Sequence, residues 1–414
     1  MAAYGVTNQV LTIHLTEIGI PETKIGLFMS LTLVGDTVLS YFLTWYADRI
    51  GRRLVMRLGC VMMVLSGTAF ALSSNYWILL FSAIVGVISP SGDETGPFKS
   101  IEEASIAHLT PLNHRPEIYA MHWMFSTVGA AVGSLFCGFL IDGLLEADWT
   151  HQSAYRFAFF IYALIACMKF VSMLFLSDAC EVHSGEEPPL LSNDDESQTS
   201  TELQDDCNTV TGLSRGTQKM LFKFLVIFML DSFGYGFMTQ AWVVYYFKTV
   251  FKFSAAALGT LYFVVNVCNS LSSLPSAYMA KAMGPVKATL AAQVPSALFY
   301  AMIPLCGTSW LPAAILLVLN AATSTMDIVP RQILLTSLMS KHELTRVLGV
   351  VNIGKTFARC IGPIFTGKLA SIGLLYVNYF ITGGCILLSD FILAVNFGGV
   401  DAEILQQQSV EYTI

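Results

Sequence analysis

Apolar runs of about 20 residues follow one another almost without pause, and this succession constrains the fold more than any other feature. A helical run of that length matches the hydrocarbon thickness of a bilayer. There, only helices and closed barrels can satisfy their own backbone polar groups. The runs cover roughly 25–47, 54–74, 77–98, 118–143 and 155–177, then 220–247, 254–280, 287–306, 310–330, 347–370 and 374–397. Residues 1–16 read as half of a further span. The expected fold class is an all-α polytopic membrane protein. A soluble domain carries about 25% charged residues; this chain carries 12% with 54% hydrophobic residues, which excludes a soluble enzyme.

Lys and Arg set the sidedness of a helical membrane protein. Loops assigned to the cytoplasm carry Arg49, Arg52, Arg53, Arg57, Lys99, Arg115, Lys281, Lys287, Arg331, Lys341 and Arg346, against Lys24, Arg156, Lys248 and Lys252 on the other side. The stretch 178–218 holds ten acidic residues and one basic residue, Arg215, with no apolar period. It reads as an acidic, disordered cytoplasmic linker between two helical bundles, 1–177 and 219–398, with a short tail at 399–414. Within it, Glu186, Leu190 and Leu191 form an acidic dileucine, a pattern read by cytosolic sorting adaptors that also arises by chance. Such a signal directs proteins toward endosomes, lysosomes or vacuoles, so the expected location is the plasma membrane or a vacuolar or lysosomal membrane. Nine scattered cysteines form no metal or disulfide framework. No phosphate-binding loop and no basic patch outside the short loops is present, so no cofactor, metal or nucleic-acid partner is expected.

The two bundles superpose as an internal repeat. A shift of 233 residues lays Gly26 on Gly259, Asp36 on Asn269, Gly51 on Gly284, Trp77 on Trp310, Glu94 on Asp327 and Pro97 on Pro330. A shift of 229 lays Gly133, Phe136, Gly138 and Leu140 on Gly362, Phe365, Gly367 and Leu369. Two parallel six-helix repeats follow. The seventh helix should start near Lys219, whose counterpart falls before residue 1, so the first helix is expected to be truncated. A misplaced start codon or a shortened isoform would explain it.

Between two runs lies Asp48-Arg49-x-Gly51-Arg52-Arg53. Gly51 supplies a sharp reversal without a Cβ penalty, and Asp48 can accept bonds from exposed backbone donors. Ionisable groups inside membrane helices are costly and point to function. Asp231 lies near the middle of its helix, with Tyr235 one turn on. Glu94, beside Asp93, and Asp327 occupy equivalent places in the two repeats, each three residues before a proline that can break the helix. Asn352, Lys355 and Arg359 are spaced to share one helix face. Two readings stay open for these groups. The carboxylates could bind substrate or protons, or act as gate and hinge groups near water; Lys355 and Arg359 could meet an anionic substrate, or brace Asp231 or Asp36. Asp390 reads as a packing residue. The small residues Gly129 and Gly133, and Gly362, Pro363 and Gly367, permit close helix contact.

The stretches Asp48–Arg53, Ser91–Glu102, Met326–Arg331 and Gly349–Thr356 resemble the major facilitator superfamily, in a branch near the drug/proton antiporters. The resemblance implies two six-helix bundles rocking about a central site. Asp48, Arg49, Gly51, Arg52 and Arg53 would then form a cytoplasmic gate loop, and the glycine-rich fifth and eleventh helices would pack at the moving face. Thr44 stands where the signature's first glycine belongs, which would loosen the packing of the outward-facing state. The expected function is secondary transport of a small organic solute. If protons are coupled, Asp231, Glu94 and Asp327 are the candidates, with Asp93, Tyr235, Arg331, Asn352, Lys355 and Arg359 along the solute or proton pathway. A facilitative uniporter, or a non-transporting sensor with the same fold, would carry the same motifs.

Overall fold

A computed structural model describes residues 1–86, 88, 101–102, 105–106, 109–110, 114–177, 215–338 and 341–402. Nine helices among the described residues are long and apolar enough to cross a membrane. Asp93, Glu94, the dileucine Glu186, Leu190 and Leu191, and most of the linker lie outside the described residues, as do the side chains of Asp48 and Arg49.

The first bundle contains α1 (Ala2–Glu17), α2 (Glu22–Ile50), α3 (Arg52–Leu72), α4 (Tyr76–Val85), α5 (Arg115–Glu146) and α6 (His151–Leu174). The helix α1 is a 16-residue piece, short of a full span as its sequence implies. Its buried face packs on α5 and α6, so its backbone is enclosed by protein. Gly51 reverses the chain between α2 and α3 at φ 102, a region that favours glycine.

In the second bundle three expected spans are broken. The seventh is α7 (Arg215–Phe237) followed by α8 (Gln240–Val250). It begins four residues before Lys219. The carbonyls near its break are each claimed by a neighbouring side chain. Thr382 donates to Gly234 (2.9 Å), Thr366 to Phe237 (2.5 Å), Tyr300 to Met238 (3.1 Å) and Tyr262 to Gln240 (3.3 Å). Irregular backbone at membrane depth persists only with such partners. The eighth span is α9 (Ala255–Ser272) and α10 (Leu274–Met283), interrupted just before Pro275. Next come α11 (Pro285–Met302) with a 3₁₀ turn at Ile303–Cys306. The tenth span is α12 (Trp310–Ser324), a 3₁₀ turn at Thr325–Asp327, and α13 (Ile328–Ser337). Pro330 has no N–H to give, which is why the ladder loosens at Asp327. Finally α14 (Lys341–Ser371) and α15 (Val377–Phe397) close the bundle.

Asp401, which the sequence reading left in the tail, belongs to this bundle. It is buried, and its two oxygens accept from the Val286 and Lys287 amides at the start of α11 (2.8 and 3.0 Å). These are donors with no partner inside their own helix.

Several hydrogen bonds between the bundles lie at the end opposite Gly51. Thr12 donates to the Ala241 carbonyl (3.0 Å), and the Tyr245 hydroxyl to Glu22 (3.1 Å). Asp142 of α5 accepts from the Ala255 and Ala256 amides at the start of α9 (3.1 and 2.8 Å). Backbones touch beside these bonds: Gly26 of α2 rests on Pro363 and Gly367 of α14, and Gly138 of α5 on Ala255. The two bundles close against each other at this end, the one that the Lys and Arg distribution of the sequence would make exterior.

A buried charge cluster beside a polar cavity as the candidate functional site

Helix α7 brings Asp231 to the centre of the second bundle, 3% exposed. The 3₁₀ turn sets Asp327 at 5% exposure, and Arg331 follows one turn later on the same face. Arg331 joins them: its Nη1 donates to Asp231 (2.7 Å) and its Nε pairs with Asp327 (2.6 Å). Gln293 of α11 donates its amide to the same Asp327 oxygen (2.7 Å). The Phe228 ring carries two cations, Arg331 at 5.5 Å and Lys355 at 5.8 Å from its centroid. Cations over an aromatic face gain electrostatic attraction, most where water is excluded.

Two sequence expectations change here. Arg331 is not a loop residue marking sidedness but a buried member of α13, 14% exposed. Asp231 takes its ion pair from Arg331, a hundred residues on, rather than from Lys355 or Arg359. Both follow from Pro330, which breaks the helix at Asp327 and starts α13 early enough to draw Arg331 inside. Asn352 is exposed, off the face that holds Lys355 against Phe228.

Beside the cluster lies a cavity of about 350 Å³. Amide side chains of Gln240, Asn266, Asn269 and Asn320 reach its wall, with Tyr235, Tyr262 and Tyr300 and the Arg359 guanidinium. The break between α7 and α8 contributes Met238, Thr239 and Gln240. Asn320 is held in place by its amide, which donates to the Ser296 hydroxyl (2.8 Å) and carbonyl (3.1 Å). A cavity this size fits a small solute. Its polar lining gives hydrogen bonds, its tyrosines give apolar faces, and Arg359 gives a positive charge.

The glycine positions divide by role. Gly129 and Gly133 face Met1 and Ala2 of α1 within the first bundle. Gly362 packs on Gly236 of α7 within the second. Of the anticipated small residues, Pro363 and Gly367 meet the opposite bundle, and on α5 that contact falls to Gly138. Arg52 and Arg53 open α3, half-buried, directly after Gly51.

Sequence reasoning gave no functional role to Gln293, Asp142 or Asp390. Each is a polar or charged side chain inside an apolar run, the signal that would have found it.

The Major Facilitator Superfamily model matches residues 1–245 and 224–403. The chain is 49% identical over 421 residues to the uncharacterized membrane protein YJR124C of Saccharomyces cerevisiae, covering 99% of this chain and 94% of that one. It is 24% identical over 157 residues to the quinolone resistance protein NorA of Staphylococcus aureus, 37% of each chain. The fold superposes on a D-xylose–proton symporter with TM-score 0.69 at 16% identity, covering 94% of this chain and 92% of the symporter. By these matches the chain belongs to the Major Facilitator Superfamily, as a multi-pass membrane transporter and not an enzyme.

Proposed function

We propose that the chain moves a small polar organic solute across the membrane by alternating access, driven by a proton gradient. The observation that carries this reading is the amide- and tyrosine-lined cavity whose wall includes Tyr235, one turn from Asp231, and Ile328, next to Asp327 of the Asp231–Arg331–Asp327 cluster. A solute binding at Arg359 and the amides would press on Tyr235, which sits one turn from Asp231 on α7. Any shift of α7 or α13 must break or remake the Arg331 pairs, so the cluster couples the solute site to the helices that move. The sealed exterior end supplies one of the two states that alternating access requires. A polar solute and proton coupling also agree with one structural neighbour being a D-xylose–proton symporter. In this account Asp48 and Arg49 belong to the inner gate, Asp93 and Glu94 to the first-bundle side of the pathway, and the dileucine addresses the protein to a vacuolar or lysosomal membrane through sorting adaptors.

Thermal unfolding of the purified chain against sugars, polyols, nucleosides, amino acids, organic anions and amphiphilic drugs tests the site. A ligand at a hundred times its dissociation constant should add roughly 2.7 kcal/mol of stability. The expected responder is polar and hydroxyl-rich, and Asn269→Trp, which fills the cavity, should abolish its shift. A shift that survives Asn269→Trp would place the solute elsewhere.

A further inference from the structure

Behind the cluster, away from the cavity, stands Asp390 on α15. It is 2% exposed, and neither carboxyl oxygen has a hydrogen-bond partner among the described residues. Its depth is fixed by the adjacent Ser389, whose hydroxyl donates to the Ile227 carbonyl one turn before Asp231 (3.0 Å).

The helix α15 packs on α7, α11 and α14. From α7 the charged neighbour is Asp231, with the Tyr235 hydroxyl beyond it. From α13, behind α7, come Asp327 and Arg331. In α11 the only charge is Lys287 in the first turn, and the polar group at the cluster is the neutral Gln293 amide. From α14 come two cations, Lys355, which interacts with Arg331, Asp231 and Asp327, and Arg359, which interacts with Lys355.

The charges that act on Asp390 are Asp231, Asp327 and Arg331, and the one cation among them is already committed. Arg331 already gives Nη1 to Asp231 and Nε to Asp327. An ionised Asp390 would be an unpaired charge with no donor, inside a membrane helix, which is among the costliest arrangements a protein can hold. A protonated carboxyl removes that charge.

We propose that Asp390 carries a proton in this exterior-closed state and releases it when Arg331 leaves one of its two carboxylates and becomes available to pair with Asp390. The proton comes from and returns to the aqueous phase, so protonation of α15 is tied to the arrangement of α7 and α13. This rests on the transport reading for its purpose, but not for its test.

The test is infrared spectroscopy of the purified full chain in lipid, following the carbonyl stretch of protonated carboxylic acids from about pH 5 to about pH 9. The expected result is a protonated-acid band at neutral pH that shifts when the protein is made with isotope-labelled aspartate. Asp390→Asn should remove it without a large change in unfolding temperature. Asp390→Glu should keep a protonated-acid band but free it of the aspartate label. A labelled band that persists in Asp390→Asn, or the absence of any aspartic acid band from the unmutated protein at neutral pH, overturns the assignment. The spectrum needs neither solute nor flux. Absent flux with the band intact would therefore count against transport and leave the proton site standing.

Discussion

Replacing Arg331 with methionine is expected to destabilise the protein by about 3–5 kcal/mol, the usual cost of removing one partner from a buried ionic group. Methionine matches much of the arginine's volume, so packing on Phe228 survives while the charge is lost. Asp231 and Asp327 would then face each other, both buried, with the Gln293 amide as a donor to Asp327 and Lys355 as the nearby cation that remains. The loss should be read as a fall in unfolding temperature in detergent. Neutralising the carboxylates as well, in Asp231→Asn/Asp327→Asn/Arg331→Met, removes their repulsion and should restore part of it, with Lys355 left over the Phe228 ring. Buried ion pairs often replace by neutral groups at little net cost, because desolvation offsets their attraction. The triple variant should therefore fold yet fail to transport. If Arg331→Met alone leaves stability unchanged, the cluster is not the buried ionic unit described here.

A second large effect is expected at the exterior seal. A side chain at Gly367 would meet the Glu22 carbonyl oxygen at 2.5 Å and the Gly26 Cα at 2.8 Å. Both are backbone atoms of α2 in the opposite bundle, so neither can rotate away. Gly367→Val must separate α14 from α2 or unseat one helix end. Overpacking of this kind costs about 1–3 kcal/mol. Because the contact exists in the sealed state, that cost falls on the conformational equilibrium, shifting it against closure by roughly 5- to 150-fold. The amides of Ala255 and Ala256 report the change directly. They are bonded to Asp142 when the seal is closed, and their hydrogen exchange should accelerate in Gly367→Val. Unchanged protection would show that the seal does not depend on the Gly26–Gly367 approach. Gly133→Val, which crowds the Ala2 backbone of α1 inside one bundle, should lower stability without this selective gain in exchange.

Much of the architecture was legible because membrane helices declare themselves by length and apolarity. The sequence also suggests an internal repeat, in which Glu94 and Asp327 keep their place relative to Trp77 and Trp310. Asp231, Tyr235, Asp327 and Lys355 were found because charge or hydroxyl at membrane depth needs a reason. What the linear sequence hides is which way a side chain points and what lies across from it. Arg331 looked like a loop marker because Pro330 precedes it; the same proline starts α13 and draws the arginine inward. The break after Phe237 has no proline to announce it. Its carbonyls are satisfied by Tyr300, Thr366 and Thr382, all more than 60 residues away. Asp401 looked like tail, and only its fit against Gly284 shows that it caps α11. Asp142 and Asp390 carry the same kind of signal as Asp231, a lone acid in an apolar run. Their roles depend on elements distant in the chain.

The claim that a solute crosses through the second-bundle cavity under a proton gradient is tested most directly by flux. The purified chain in liposomes, offered labelled sugars, polyols, nucleosides and organic anions with and without an imposed pH difference, should accumulate at least one polar solute. Accumulation should follow the pH difference and vanish in Asn269→Trp and in the Asp231→Asn/Asp327→Asn/Arg331→Met variant. Uptake that ignores the gradient would remove the coupling and leave a facilitator. No uptake of any polar solute by a well-folded protein would contradict the account at its centre.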